Sequence, residues 1–115
     1  MNNQVKFRRH ADEARARLSR ALVSFAFNVE EDELCAATRR NARAAFGRQI
    51  AMYLAHVAFE LSLSRVAFAF GRDRTTVSHA CHLIEDRRDD PEFDQKLDDM
   101  EQLLRDAPEP AGPEQ

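Results

Sequence analysis

Residues 70–81 read FGRDRTTVSHAC, a polar, hydroxyl-rich turn followed by the start of an amphipathic helix. Beyond the turn, apolar residues recur with the spacing i, i+3, i+4 and i+7, at Val77, Ala80, Cys81 and Ile84. This spacing places them on one buried face of a helix. The opposite face carries hydrogen-bonding side chains, from Arg74, Thr75, Ser78 and His79. Such a helix can pack on a domain and still present side chains to base edges in a DNA major groove, as in a helix-turn-helix.

The remaining sequence is also helical in its periodicity, because no stretch alternates convincingly with a period of two residues. We therefore predict an all-α fold, a small helical bundle. Helices are expected over about residues 4–27, 42–60, 62–70, 73–88 and 91–104, with a short helix that ends near Ala37. Asn28 is a candidate cap for that short helix, since its side-chain oxygen can accept from unpaired N–H groups. Gly71 is expected to end the helix that precedes the turn.

Within the first helix, apolar residues are separated alternately by four and three residues, as in a heptad repeat. They are Phe7, Ala11, Ala14, Leu18, Ala21 and Phe25. The stripe either packs along the core of its own domain or pairs with a second copy or another protein. Self-packing is the preferred interpretation, because alanine at three stripe positions gives only a thin seam for a stable pair.

The net charge of −3 is unevenly distributed along the chain. Residues 1–48 carry ten Lys or Arg against six Asp or Glu, whereas residues 85–115 carry four against twelve. The body is therefore mildly basic and the C-terminal part strongly acidic, so the mean charge does not exclude a nucleic-acid partner. We divide the chain into an N-terminal amphipathic helix (1–28), a helix-turn-helix domain (29–105) and a disordered, acidic, proline-rich tail (106–115).

Several functional classes find no support in the composition. No run of about 18 apolar residues exists that would span a membrane, and the polar N-terminus does not resemble a secretion signal. Two cysteines are too few for a disulfide framework, and without a sign of export they are expected to be reduced in a cytoplasmic protein. No nucleophile arrangement, metal-ligand set or Gly-rich phosphate loop is present. We therefore expect neither an enzyme nor a cofactor or metal.

Four short motifs occur in a fixed order along the chain. Residues 49–55 read QIAMYLA, residues 61–63 read LSL, residues 72–81 read RDRTTVSHAC, and Ile84-Glu85 follows. In this order they resemble the C-terminal duplex-DNA-binding domain of the bacterial chromosomal replication initiator DnaA, over roughly residues 22–104. The resemblance implies sequence-specific binding of double-stranded DNA at DnaA-box-like sites, and regulation of replication initiation or of nearby transcription. It covers the DNA-binding domain without the family's ATPase module.

The resemblance also implies roles for individual residues. Major-groove base readers are implied at Asp73, Arg74 and Thr75, beside Arg72. Backbone contacts are implied on the same helix for Thr76 and His79, and on an earlier helix for Arg48 and Gln49. A minor-groove arginine is implied at Arg40, with Arg43 in the same basic stretch. The first helix of the helix-turn-helix, which touches the strand beside the groove, is implied at Leu63 and Ser64.

The sequence departs from the family pattern at several positions. One glycine, Gly71, precedes Arg72 where the family has two, and Arg74 replaces a histidine. Arg74 has three open roles, which are a base contact, a phosphate contact, or an intramolecular pair with Asp73 or another acid. Thr75 and Thr76 either contact DNA or cap the helix.

A monomer or weak homodimer is expected.

A rival interpretation comes from the acidic C-terminal segment, the shortened turn and the heptad spacing. In it, the protein is an interaction module that binds the replication initiator DnaA and modulates it without binding DNA.

Overall fold

Six helices form the part of the protein that the computed structural model describes, residues 3–36 and 41–112. In chain order they are α1 (Asn3–Phe27), α2 (Glu31–Cys35), α3 (Ala42–Ala58), α4 (Leu63–Phe70), α5 (Arg74–Arg87) and α6 (Pro91–Arg105). No strand occurs within these two ranges. The prediction of an all-α helical bundle is therefore confirmed.

Local sequence signals account for several helix ends. Asn41 caps α3 by accepting from the backbone N–H groups of Arg43 and Ala44, at 3.0 and 3.2 Å. Ser62 caps α4 in the same way through the N–H of Arg65. Gly71 follows α4 with φ of 64°, a left-handed conformation that glycine adopts without strain. The predicted stop at Gly71 is confirmed.

The predicted capping role of Asn28 is wrong. α2 begins after Glu30, which makes no side-chain cap hydrogen bond. Asn28 instead has φ of 54° and follows the last residue of α1, a left-handed position that asparagine tolerates better than most residues. Asn28 thus lies in the turn that ends α1, two residues before Glu30, which holds the N-cap position of α2. α2 itself ends at Cys35, and the predicted end at Ala37 lies outside the described residues.

The core is organised around α3, which contacts each of the other five helices. One cluster joins α1, α2, α3 and α6, with Val23, Leu34, Leu54 and Leu97 almost fully buried. A second cluster seats α5 on α3 and α4, and its buried members are Met52, Ala55, Leu61, Val66, Ala67, Val77 and Ala80. Each large aliphatic side chain buried in this way contributes about 1.5–3 kcal/mol. The apolar face predicted for α5 is therefore the face that fixes its position.

α1 packs on α3 through a face other than the predicted stripe. Ala16, Ser19 and Val23 are fully buried there, and the Ser19 hydroxyl donates to the Ala51 carbonyl at 2.7 Å. By contrast Leu18 and Phe25 are 41% and 87% exposed. Burial of the heptad stripe was thus wrongly predicted for its large side chains, whereas Ala11 of the stripe is buried. Small residues on the packed face let the two helices approach closely and leave the larger side chains outside.

The C-terminal segment lies along α1 as far as the structure describes it. Glu109 accepts from the Arg15 guanidinium at 2.9 Å, and Gly112 lies against the ring of Phe7. The sequence indicated disorder for residues 106–115, whereas residues 106–112 have these defined contacts. The proposed division at residue 28 stays a prediction, although Val23 of α1 shares its core with α3. Within the described ranges, no helix has both the length and the apolar character needed to cross a bilayer.

Candidate nucleic-acid interface

An open cleft of about 390 Å³ separates the N-terminal halves of α3 and α5. Its lining residues are Ala45, Arg48, Gln49, Met52, Arg72, Thr75, Thr76 and His79. The described lining residues include two arginines and no carboxylate, so this part of the lining is basic. Six of the predicted site residues thus line one cleft, although they come from two segments more than 20 residues apart in the sequence.

The first turn of α5 is open to solvent. Asp73 precedes it without making a side-chain cap hydrogen bond, and Arg74, Thr75 and Thr76 are all exposed. Neither threonine occupies the N-cap position, so the first N–H groups of this helix have no side-chain cap from them. These donors, with the positive end of the helix dipole, favour an anionic group at this end.

The Arg74 side chain is exposed at the start of α5. Among the described residues it forms no ion pair, with Asp73 or with any other carboxylate. The intramolecular pair that the sequence left open is therefore absent there. A free guanidinium at the start of α5 retains all its donors for an external acceptor.

Arg48 is buried, with 7% of its surface exposed, although the resemblance implied a phosphate contact. Its guanidinium donates to the carbonyls of Leu34 at 3.0 Å, Glu33 at 3.2 Å and Ala36 at 2.8 Å. These carbonyls lie at the end of α2, where unpaired acceptors remain. Arg48 thus lines the floor of the cleft and at the same time fixes the end of α2.

Two further arginines of the predicted site also donate to backbone carbonyls. Arg72 reaches Ala36 at 2.8 Å, and Arg43 reaches Phe27 at 2.6 Å. Arg72 and Arg48 thus converge on one carbonyl, which joins α3 and the turn before α5 to the segment after α2. The predicted minor-groove residue Arg40 follows that segment and lies outside the described residues, as does Arg39.

α4 contributes the other two predicted residues, away from the floor of the cleft. Ser64 is exposed in its first turn, and Leu63 is half-buried against the second core cluster. The next residue, Arg65, forms a bidentate pair with the buried carboxylate of Asp12, at 2.9 and 2.7 Å. This pair raises the pKa of Arg65 above its usual value and ties α4 to α1.

Sequence reasoning missed Ala45 and Met52 in the cleft and Asp12 behind it. Ala45, Arg48, Gln49 and Met52 follow the spacing of one helical face, so this part of the lining could have been found from the sequence. Asp12 gave no such signal, because its partner lies 53 residues away.

Comparison with known proteins assigns the family. Residues 20–84 match the family described as the bacterial dnaA protein helix-turn-helix. The chain belongs to this family. The matched range begins within α1 and ends within α5, so it includes all of α4, most of α5 and every residue that lines the cleft.

The DnaA helix-turn-helix family is a DNA-binding family and not a catalytic one. A solved structure described as the crystal structure of a DNA replication initiation factor is also similar, with 28% sequence identity and a TM-score of 0.75. The similarity covers 90% of this chain but 31% of that one. The chain therefore spans about a third of the length of the solved protein, and the similarity concerns the part with the helix-turn-helix.

Proposed function

We propose that the protein binds double-stranded DNA in a sequence-specific way, at sites similar to those of the initiator, and thereby regulates replication initiation or transcription near them. The observation that carries this proposal is the cleft beside the first turn of α5. It combines a basic lining with an exposed row of hydrogen-bonding side chains on a helix that a second core cluster holds in place. A nucleoid location follows from this proposal.

Base contacts are assigned to Asp73, Arg74 and Thr75. All three are exposed at the start of α5, where a helix-turn-helix meets the edges of base pairs. Arg74 can donate two hydrogen bonds to the O6 and N7 atoms of guanine, whereas a histidine has fewer donors for this purpose. We therefore expect the preferred site to include a guanine opposite Arg74.

Backbone contacts are assigned to the residues around the base-reading turn. On α5 and α3 they are Thr76, His79 and Gln49, with Arg48 and Arg72 at the floor of the cleft. On α4 they are Leu63 and Ser64, and in the basic stretch they are Arg40 in the minor groove and Arg43. Contacts of this kind set the position of the protein on the duplex but do not specify sequence.

Selection from a randomised duplex pool tests the proposal. The selected duplex and a scrambled duplex of the same composition are then compared by fluorescence anisotropy at two salt concentrations. We expect the selected duplex to bind more tightly and both affinities to fall steeply with salt, because phosphate contacts release counterions. No enrichment of any sequence, with no binding at low salt, would contradict the proposal.

In the alternative, the protein binds the initiator DnaA and not DNA. The shortened turn was one argument for it. The turn nevertheless ends α4 through Gly71 with ordinary backbone hydrogen bonds to Ala67 and Phe68. The start of α5 also stays open, and none of the acidic residues of α6 lines the cleft. DNA binding is therefore the better supported of the two. Gel shifts at two salt concentrations discriminate between them.

A further inference from the structure

The outward face of α1 has an apolar surface with no covering element along most of its length. This outer stripe consists of Phe7, Ala14, Leu18, Ala21 and Phe25. Phe25 is 87% exposed and Leu18 41%, while the N-terminal member, Phe7, touches Gly112 of the C-terminal segment. The stripe extends over about 27 Å at 1.5 Å per residue. Large apolar side chains aligned in this way mark a contact surface more often than an isolated exposed leucine does.

The stripe is held outside the core by the contacts of the opposite face. Asp12 is paired with Arg65, and Ser19 donates to Ala51. Rotating α1 to bury Phe25 would break both contacts and leave the Asp12 carboxylate buried without a partner, which is costly. The described helices of this domain therefore cannot cover the outer stripe without losing these contacts.

The residues beside the stripe indicate the charge of that occupant. In the heptad that the stripe defines, the flanking positions e and g are Arg8, Arg15 and Leu22 on one side and His10, Arg17 and Ser24 on the other. None of these six is acidic. In a pair of identical helices the flanking arginines would find no carboxylate in either orientation, so charge complementarity favours a partner with acidic flanks.

One flanking arginine already binds a carboxylate within the protein. Arg15 pairs with Glu109, whose side chain is 89% exposed although it takes part in this contact. Neither Arg8 nor Arg17 has an ion-pair partner among the described residues. The flank of the stripe thus accepts an acidic side chain at one position and has two more cations available.

We propose that the outer stripe of α1 is the docking surface for an acidic amphipathic helix of a partner protein, with apolar residues in its seam and Asp or Glu beside them. The surface belongs to α1, whereas the cleft belongs to α3 and α5. The protein can therefore hold this partner and a nucleic acid at the same time, and the docking does not depend on the proposed DNA binding.

Two synthetic peptides test the proposal with the full chain. Each has three heptads with Ile and Leu in the seam, and the flanking positions are all Glu in one peptide and all Lys in the other. Fluorescence anisotropy should show the Glu peptide binding at least about tenfold more tightly than the Lys peptide, a difference that decreases with added salt. Equal binding of the two peptides, or no binding of the Glu peptide, overturns the proposal.

Single substitutions locate the binding on the stripe. Phe25→Ser should weaken binding of the Glu peptide at least about fivefold, whereas Leu103→Ser, at a 61% exposed leucine on α6, should leave it unchanged. Arg17→Glu should weaken the Glu peptide and strengthen the Lys peptide, which a folding defect cannot do. Unchanged binding in Phe25→Ser and Arg17→Glu overturns the assignment.

Sedimentation of the wild-type protein tests whether a second copy of this chain occupies the stripe instead. We expect a monomer in the absence of peptide. A dimer that Phe25→Ser dissociates would assign the stripe to a second copy of this chain and overturn the proposal. DNA affinity is also measured on Phe25→Ser, which leaves the net charge unchanged, and it should equal that of the wild type. Failure of the docking proposal and failure of the DNA-binding proposal therefore give different results.

Discussion

At the scale of single residues, Arg74 separates base reading from general attraction to DNA. It is exposed at the start of α5 and free of acidic partners among the described residues. Arg74→Ala should weaken binding to the selected duplex by about 1–3 kcal/mol and binding to scrambled duplex by less, since two base hydrogen bonds are lost. Anisotropy titrations of both duplexes measure this. Arg17→Ala serves as the control, and equal losses on both duplexes for Arg74→Ala would assign the side chain to phosphate.

The two cysteines should differ in reactivity. Burial raises the pKa of the Cys81 thiol from 9.0 to about 11, with a smaller contribution from nearby Glu85, whereas Cys35 is exposed. Because the thiolate is the reactive form, Cys81 should be labelled much more slowly than Cys35 at pH 8, and faster as the pH rises towards 11. Mass spectrometry of timed reactions with a maleimide measures both rates. The Cys35→Ser variant should retain only the slow phase, and a fast phase in that variant would refute the expectation.

At the scale of elements, Arg48 connects α3 to the end of α2. Arg48→Met removes three hydrogen bonds from a charged donor to backbone carbonyls, one buried and two partly buried, so we expect a loss of about 1–3 kcal/mol in the free energy of unfolding. Arg48→Lys should recover little of it, because an ammonium lacks the planar fork of donors. Urea denaturation measures these values. The matched control is Arg43→Ala, which removes a bond from an exposed arginine to a single carbonyl and should cost less than about 0.5 kcal/mol.

The ion pair between α1 and α4 makes a second prediction at this scale. Asp12→Asn should reduce the free energy of unfolding by about 1–2 kcal/mol, a figure lowered for screening because 36% of the Arg65 side chain is exposed. The neighbouring substitution Glu13→Gln removes an exposed carboxylate of the same helix and should change stability by less than about 0.5 kcal/mol. Thermal melting of both variants compares them. Equal changes in melting temperature for the two variants would show that the ion pair stabilises the fold no more than an unpaired surface carboxylate does.

At the scale of the whole molecule, the charge of the C-terminal part is negative and that of the preceding body is mildly positive. Part of its negative charge is neutralised within the same region, because Arg88 pairs with Asp94, Asp98 and Glu101. Deleting residues 106–115 removes three carboxylates and releases Arg15 from Glu109. Affinity for scrambled duplex should rise modestly at low salt and converge with the wild type at high salt. Anisotropy at both salt concentrations tests this, and unchanged affinity at low salt would show that the segment has no electrostatic effect.

Local chemistry made much of this fold predictable. The position of α5 followed from its apolar spacing, and Gly71 and Ser62 marked the ends of α4, because such signals act within one helical turn. The buried face of α1 was not predictable in this way. Its fully buried residues include alanine and serine, whose hydrophobicity is weak, whereas the exposed stripe contains two phenylalanines and a leucine in heptad spacing.

Part of the cleft lining was predictable from the sequence, but the direction of its side chains was not. The family resemblance implied DNA contacts for Gln49, Thr75 and His79, and the structure places these three residues in one cleft. The inward direction of the Arg48 side chain depends on carbonyls 12–15 residues earlier in the chain, and no local pattern encodes that. The contacts of Asp73, Arg74 and Thr75 with DNA remain predictions.

The seam of small residues between α1 and α3 has a consequence for hydrogen exchange. Ala16, Ser19 and Val23 are fully buried, and Val23 shares a core cluster with Ala51 and Leu54. The middle of α1 therefore cannot separate from α3 without exposing Ala51 and Leu54. Amide protons of α1 from about residue 11 to 23 should therefore exchange at the slow rate of α3, and both should open in one cooperative transition. A fragment that starts at residue 29 would lack half of this unit and should show little amide protection anywhere.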